Sequence, residues 1–246
     1  MTRLAVVTGG ARRIGAAISR HLHHCGYDIA LHYRSSAAAA DALATELCQA
    51  RPGSCQTFAA DLEDDGQIQT LAAAILERFP SIDLLINNAS GFLATPIDSC
   101  TPPEFDSMLG SNLRGPYFLT QALLPSLREA RGNIVNIIDV HVDKPLPDFN
   151  AYGAAKAGLA SLTRSLAVEL GPDIRVNGVS PGVILWPEDG AGYDAAARAA
   201  AVRVTPLQRI GDPTDIARTV GFLALEAPFI TGQIITVDGG RGLVRE

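Results

Sequence analysis

The chain has 246 residues, 47% of them hydrophobic, which suits one large α/β domain with a sizeable core. A formal net charge of −6 argues against nucleic-acid binding, which relies on basic surface, but leaves room for a local basic pocket. No apolar run is long enough for a signal core or a membrane span. The four cysteines form no Cys-x-x-Cys pair, so reduced thiols in a cytoplasmic enzyme are expected.

Strand-like and helix-like segments alternate along the chain. Residues 4–7 read as a short buried strand, followed by a glycine turn and a helix to about residue 25. Further strands are expected at 28–33, 54–59, 84–87, 133–138, 174–179 and 233–237. Helices are expected at 37–50, 68–79, about 112–130, through Tyr152 to about 170, and 213–225. Segment 183–205 reads as a substrate loop, which Gly190 and Gly192 would let close as a lid. His21, His23 and His24 crowd the first helix. No Cys or carboxylate stands at a closing ligand spacing, so no metal site is expected.

Continuous apolar strands separated by helices imply a parallel sheet covered on both faces. The expected architecture is a single-domain, Rossmann-type, doubly wound α/β fold with a seven-stranded parallel sheet. Ligands of such sheets bind beyond the carboxyl ends of the strands. Gly9, Asp61, Asn88, Asp139 and Ser180 each follow a strand and therefore share one rim.

Tyr152 and Lys156 are four residues apart in a helical run, which places them on one face. A tyrosine ordinarily titrates near pH ~10, and a neighbouring cation lowers that value toward acid–base use at neutral pH. In isolation the spacing reads more readily as a half-buried tyrosine beside a solvated lysine, so the rest of the chain decides. Asp139, thirteen residues earlier, ends the fifth strand close to the same rim.

The turn Thr8-Gly9-Gly10-Ala11-Arg12-Arg13-Ile14-Gly15 joins the first strand to the first helix. Glycines there let backbone approach a pyrophosphate at the helix N-terminus. The second strand ends in Tyr33-Arg34-Ser35, without the acid that holds ribose hydroxyls in an NAD site. An arginine with hydroxyls suits a 2′-phosphate, so NADPH is expected over NADH. Asp61 is placed to hydrogen-bond adenine, and Asn88, Ala89 and Ser90 to lie near the cofactor ribose. Each could equally be a cap or turn residue.

Together these residues resemble the short-chain dehydrogenase/reductase family over nearly the whole chain. The match covers the glycine turn, Asp61-Leu62, Asn87-Asn88-Ala89, Asn112, Tyr152-x-x-x-Lys156, Ser180-Pro181-Gly182-Val183, Ile230-Thr231-Gly232-Gln233 and Val237-Asp238-Gly239-Gly240. The resemblance implies a tyrosine acid/base, a lysine that lowers its pKa and holds the nicotinamide ribose, and a proton relay supported by Asn112. It also implies a homotetramer built on the long helices. Three departures stand out: Arg13 and Ser90 where glycine is usual, and Asp139 where serine is usual. An ionised aspartate only accepts hydrogen bonds, so ordinary ketone reduction is doubtful. The same departures, with Phe92 in Asn88-Ala89-Ser90-Gly91-Phe92, resemble the pteridine-reductase branch. Residues 183–188, which include Trp186, resemble its bacterial substrate loop. That likeness implies a pterin or folate substrate contacted by Arg13, Ser90, Phe92, Asp139, Tyr152 and Trp186. Two alternatives remain open here: a reductase of ketones or β-ketoacyl thioesters, and a non-catalytic NADPH-binding protein.

Overall fold

The computed structural model describes residues 2–79, 81–186 and 194–244. Seven strands form one sheet: β1 (Arg3–Val7), β2 (Tyr27–Tyr33), β3 (Cys55–Ala59), β4 (Leu84–Asn87), β5 (Asn133–Ile137), β6 (Arg175–Pro181) and β7 (Ile234–Val237). Their order is β3-β2-β1-β4-β5-β6-β7, and every pairing is parallel. The expected Rossmann-type topology is thus found, with its switch point between β1 and β4.

The alternation of side chains along a strand explains why these strands are apolar throughout. In β1, Ala5 and Val7 enter one core and Leu4 and Val6 the other. The first core is closed by α1 (Arg13–His24), α2 (Ala37–Ala50) and α8 (Pro213–Leu225). The second is closed by α3 (Asp65–Arg78), α5 (Gly115–Glu129) and α6 (Asn150–Leu170).

Two helices add to the expected set. One is α4 (Pro102–Leu109), started by a capping box between Thr101 and Glu104 and by prolines in its first turn. It runs into α5 through a π-helical turn, Gly110–Arg114, so the expected helix from 112 begins inside a longer helical segment. The other is α7 (Ala195–Arg203), capped by the Asp194 side chain. The second half of the expected 183–205 loop is therefore helical, favoured by its alanine run. Pro187, Glu188, Gly190 and Gly192 lie outside the described residues. Among the described residues no helix is long and apolar enough to cross a membrane, and no group of three or more His, Cys, Asp or Glu side chains could hold a metal ion.

Candidate active site

The turn after β1 is bolted to its neighbours at the switch point. The Thr8 hydroxyl donates to Ile86 O at 3.1 Å and accepts from Asn88 N–H (2.9 Å) and Ala89 N–H (3.0 Å). The Asn88 amide donates to Thr8 O (2.8 Å) and Gly9 O (3.1 Å). Gly9 has a φ of +58°, and a Cβ on Gly15 would lie 2.1 Å from Gly9 O. Only glycine fits that crossing of turn and helix. Arg13 has a φ of 53°, so the chain carries a side chain at a left-handed position that glycine occupies without strain. Its guanidinium donates to Trp186 O at 3.3 Å, joining the turn to the segment after β6.

A cavity of about 490 Å³ opens above the turn. That volume falls within the ~300–1,000 Å³ of small-molecule sites. Of the anticipated residues, it brings together Gly9, Arg12, Arg13, Ile14, Asn88, Ala89, Ser90, Phe92, Asp139, Tyr152, Lys156, Pro181, Gly182, Val183 and Trp186. Tyr33, Arg34, Ser35, Asp61, Leu62 and Asn112 are outside its lining. Arg34 and Asp61 stand at the ends of β2 and β3, and Arg34 pairs with Glu63 at 3.1 Å. The Leu62 side chain packs in the second core, which leaves only its backbone to any ligand.

The Tyr152 hydroxyl donates to Asp139 Oδ2 at 2.6 Å. Asp139 Oδ1 accepts the His141 N–H at 2.8 Å, so the carboxylate is held at both oxygens. Lys156 is fully buried on the next turn of α6, where its ammonium donates to Ile137 O at 2.9 Å and lies 5.7 Å from the Tyr152 ring centre. Burial lowers the Lys156 pKa to about 8, against the Asp139 charge that favours the cation. The Tyr152 phenol is pushed well above its usual value by burial and by the Asp139 carboxylate. That is opposite to the lowering expected from Tyr-x-x-x-Lys spacing. The carboxylate is in direct contact with the hydroxyl, whereas the ammonium lies beside the ring. A phenol so placed keeps its proton at neutral pH.

Phe92 stacks on Phe149 with ring centres 4.3 Å apart and meets Tyr152 edge-on at 4.9 Å. It is 52% exposed, so apolar ring surface remains open to a ligand. The Ser90 hydroxyl donates to Asn112 Oδ1 at 2.7 Å. The Asn112 amide donates to Gly91 O (2.9 Å) and Met108 O (3.0 Å). The Asn112 side chain therefore holds the Ser90–Gly91 loop from within the π turn. Trp186 lies over the Arg198 guanidinium at 5.4 Å, linking the cavity wall to α7. Sequence reasoning missed Phe149 and His141. Their signals were present in Phe149-Asn150-Ala151-Tyr152 and Asp139-Val140-His141, each within three residues of Tyr152 or Asp139.

An aromatic shelf, a buried acid–base pair and a glycine turn at a sheet switch point can together hold a dinucleotide against a flat substrate. Comparison with known proteins agrees. A family model described as enoyl-(acyl carrier protein) reductase matches residues 9–241. Pteridine reductase 1 of Leishmania tarentolae is 36% identical, covering 98% of this chain and 97% of that protein. A 3-oxoacyl-[acyl-carrier-protein] reductase FabG of Staphylococcus aureus is 35% identical, covering 98% of each. With a family match across nearly its whole length, the chain belongs to the short-chain dehydrogenase/reductase family of NAD(P)-dependent oxidoreductases.

Proposed function

We propose that the protein is an NADPH-dependent pterin reductase, a single catalytic domain with 183–205 as its substrate loop, working as a homotetramer. The observation that carries this reading is the 2.6 Å hydrogen bond from Tyr152 to Asp139 beside the exposed ring of Phe92. A serine in place of Asp139 could donate to a substrate carbonyl; an ionised carboxylate cannot. It can accept from the amino and N–H groups of a pterin.

A dinucleotide held at the Gly9–Gly15 turn would supply the hydride that reduces the C=N bond of the substrate. Phe92 stacks on the flat substrate and sets its plane. Tyr152 delivers its proton to the ring nitrogen, and Lys156 offsets the negative charge left on the Tyr152–Asp139 pair. Arg13 and Ser90 would orient the polar edge of the substrate. For the cofactor, Arg34 and Ser35 would hold a 2′-phosphate, and Arg34 would then leave its present partner Glu63.

The test is a panel of dihydrobiopterin, dihydromonapterin, dihydrofolate and a β-ketoacyl thioester, each with NADPH and with NADH. The expected outcome is turnover of a pterin or folate with kcat/KM at least about tenfold higher for NADPH, the worth of one charge-assisted contact. Asp139→Ala and Tyr152→Phe are each expected to lower kcat by about 100-fold or more. Turnover of the thioester alone would establish the second reading, which the 35% identity to the Staphylococcus aureus reductase favours. Full pterin turnover by both variants would sink the acid–base assignment.

A further inference from the structure

We propose that His32 is a positioning residue of the dinucleotide turn: as the Nε2–H tautomer it accepts the Gly9 N–H and fixes the shape that receives the cofactor. The ring is 2% exposed. Its Nδ1 lies 3.1 Å from Gly9 N, and a backbone N–H can only donate, so Nδ1 carries the lone pair. Its Nε2 lies 3.0 Å from Ala60 O, which can only accept, so Nε2 carries the proton. Partners of opposite kind thus select one neutral tautomer.

The backbone of the same residue adds to the grip, because Gly10 N–H donates to His32 O at 2.9 Å. His32 therefore holds two successive turn residues from the β2 side, while Asn88 holds Gly9 O from the β4 side. Since Gly9 O is also the atom that crosses Gly15, a shift of Gly9 would displace the start of α1. That helix start and the adjoining turn line the cavity.

A protonated ring would turn a second N–H against the Gly9 N–H and lose the contact. The turn from Thr8 to Ala11 brings no titratable side chain to oppose or aid this. Asp61, beyond β3, is the charged side chain that acts on the ring, and it favours the cation; burial outweighs it and lowers the pKa. An unfolded histidine titrates near ~6.5, so the unfolded chain holds more protons below that pH and stability falls as acid is added. Cofactor binding follows the same direction. One pH unit below the pKa of the ring, about a tenth of the molecules keep the competent turn and Kd rises about tenfold. The inference rests on the dinucleotide common to the family and stands apart from the choice of substrate.

The experiment is titration of NADP+ and NAD+ from pH 8 to 5.5, read by quenching of Trp186, the single tryptophan, which lines the cavity. NAD+ carries no 2′-phosphate, so its acid-side loss cannot come from that group. Wild type is expected to weaken toward both only once pH falls through the lowered pKa of the ring. His32→Asn can offer an oxygen to Gly9 N–H and does not titrate, so it should retain most of the affinity and lose the acid-side dependence. His32→Gln reaches Ala60 O and not Gly9, and should bind about fivefold or more weakly at every pH, the worth of one hydrogen bond. A Gln variant binding as tightly as Asn at pH 8, or an Asn variant binding as weakly as Gln, would overturn the proposal. Should both variants fold poorly, ¹⁵N NMR of the wild-type ring decides at pH 8: Nε2–H supports it, and Nδ1–H overturns it. A chain that binds NAD+ better than NADP+ would end the NADPH reading and leave this test intact.

Discussion

Lys156 shows how one residue trades stability for chemistry. Its folded pKa of about 8, against an ordinary 10.5, means the ammonium sits in folded protein at a cost. At neutral pH that displacement amounts to about 3 kcal/mol. The unfolded chain holds more protons between pH 8 and 10.5, so stability rises with pH across that window. Lys156→Met removes the buried charge but leaves Ile137 O without its donor, which returns about 1 kcal/mol. The variant is expected to be about 2 kcal/mol more stable than wild type in urea at pH 7, with kcat lowered about 100-fold or more. A variant less stable than wild type would show that the contacts of the ammonium outweigh its desolvation. The spacing of Tyr152 and Lys156 was legible in sequence; the direction of the tyrosine shift was not. It depends on burial and on the 2.6 Å approach of a carboxylate thirteen residues away, both products of tertiary packing.

At the scale of elements, strands were readable because both sheet faces are covered and each strand is apolar throughout. The rim residues were readable with them, since each follows a strand. The α4 helix escaped because its eight residues carry a single fully buried side chain, Met108, and so show little periodicity. Its Thr101–Glu104 box was the available signal. The π turn has no local signature; close packing surrounds it. A Cβ on Gly110 would lie 3.2 Å from Glu63 Cγ, and one on Gly115 would lie 2.6 Å from Leu62 O. The second contact is with backbone that cannot swing away, so Gly115→Ala must move α5 off the β3 exit. Thermal unfolding is expected to show a loss of about 1–3 kcal/mol, the range for overpacked cores. Because Asp61 shares that exit, the dinucleotide Kd should rise as well. An Ala variant with wild-type melting and wild-type Kd would show that the junction is loose.

At the scale of the whole molecule, some of the exposed large apolar side chains among the described residues lie on two of its faces. Tyr117 on α5 and Val168 on α6 lie on the face closed by those helices, with Val168 85% exposed. Phe222 on α8 and the fully exposed Phe229 lie toward β7, a strand paired only to β6 among the described residues. Exposed apolar residues and an open strand edge are candidate surfaces for the proposed association. Were each patch to pair with its own copy, two symmetry axes would result, and two axes close a set of four copies. The proposed homotetramer is therefore expected to give a light-scattering mass four times the 25.9 kDa of the chain. Phe229→Asp places a charge in the β7 patch and leaves the α5–α6 patch intact, so it should give a particle of half the wild-type mass with an unchanged far-UV spectrum. The same measurement on Val168→Asp should also halve the mass, and the double variant should run as single chains. Wild type that runs as a monomer at micromolar concentration, or a double variant that stays tetrameric, would remove these surfaces from the assembly.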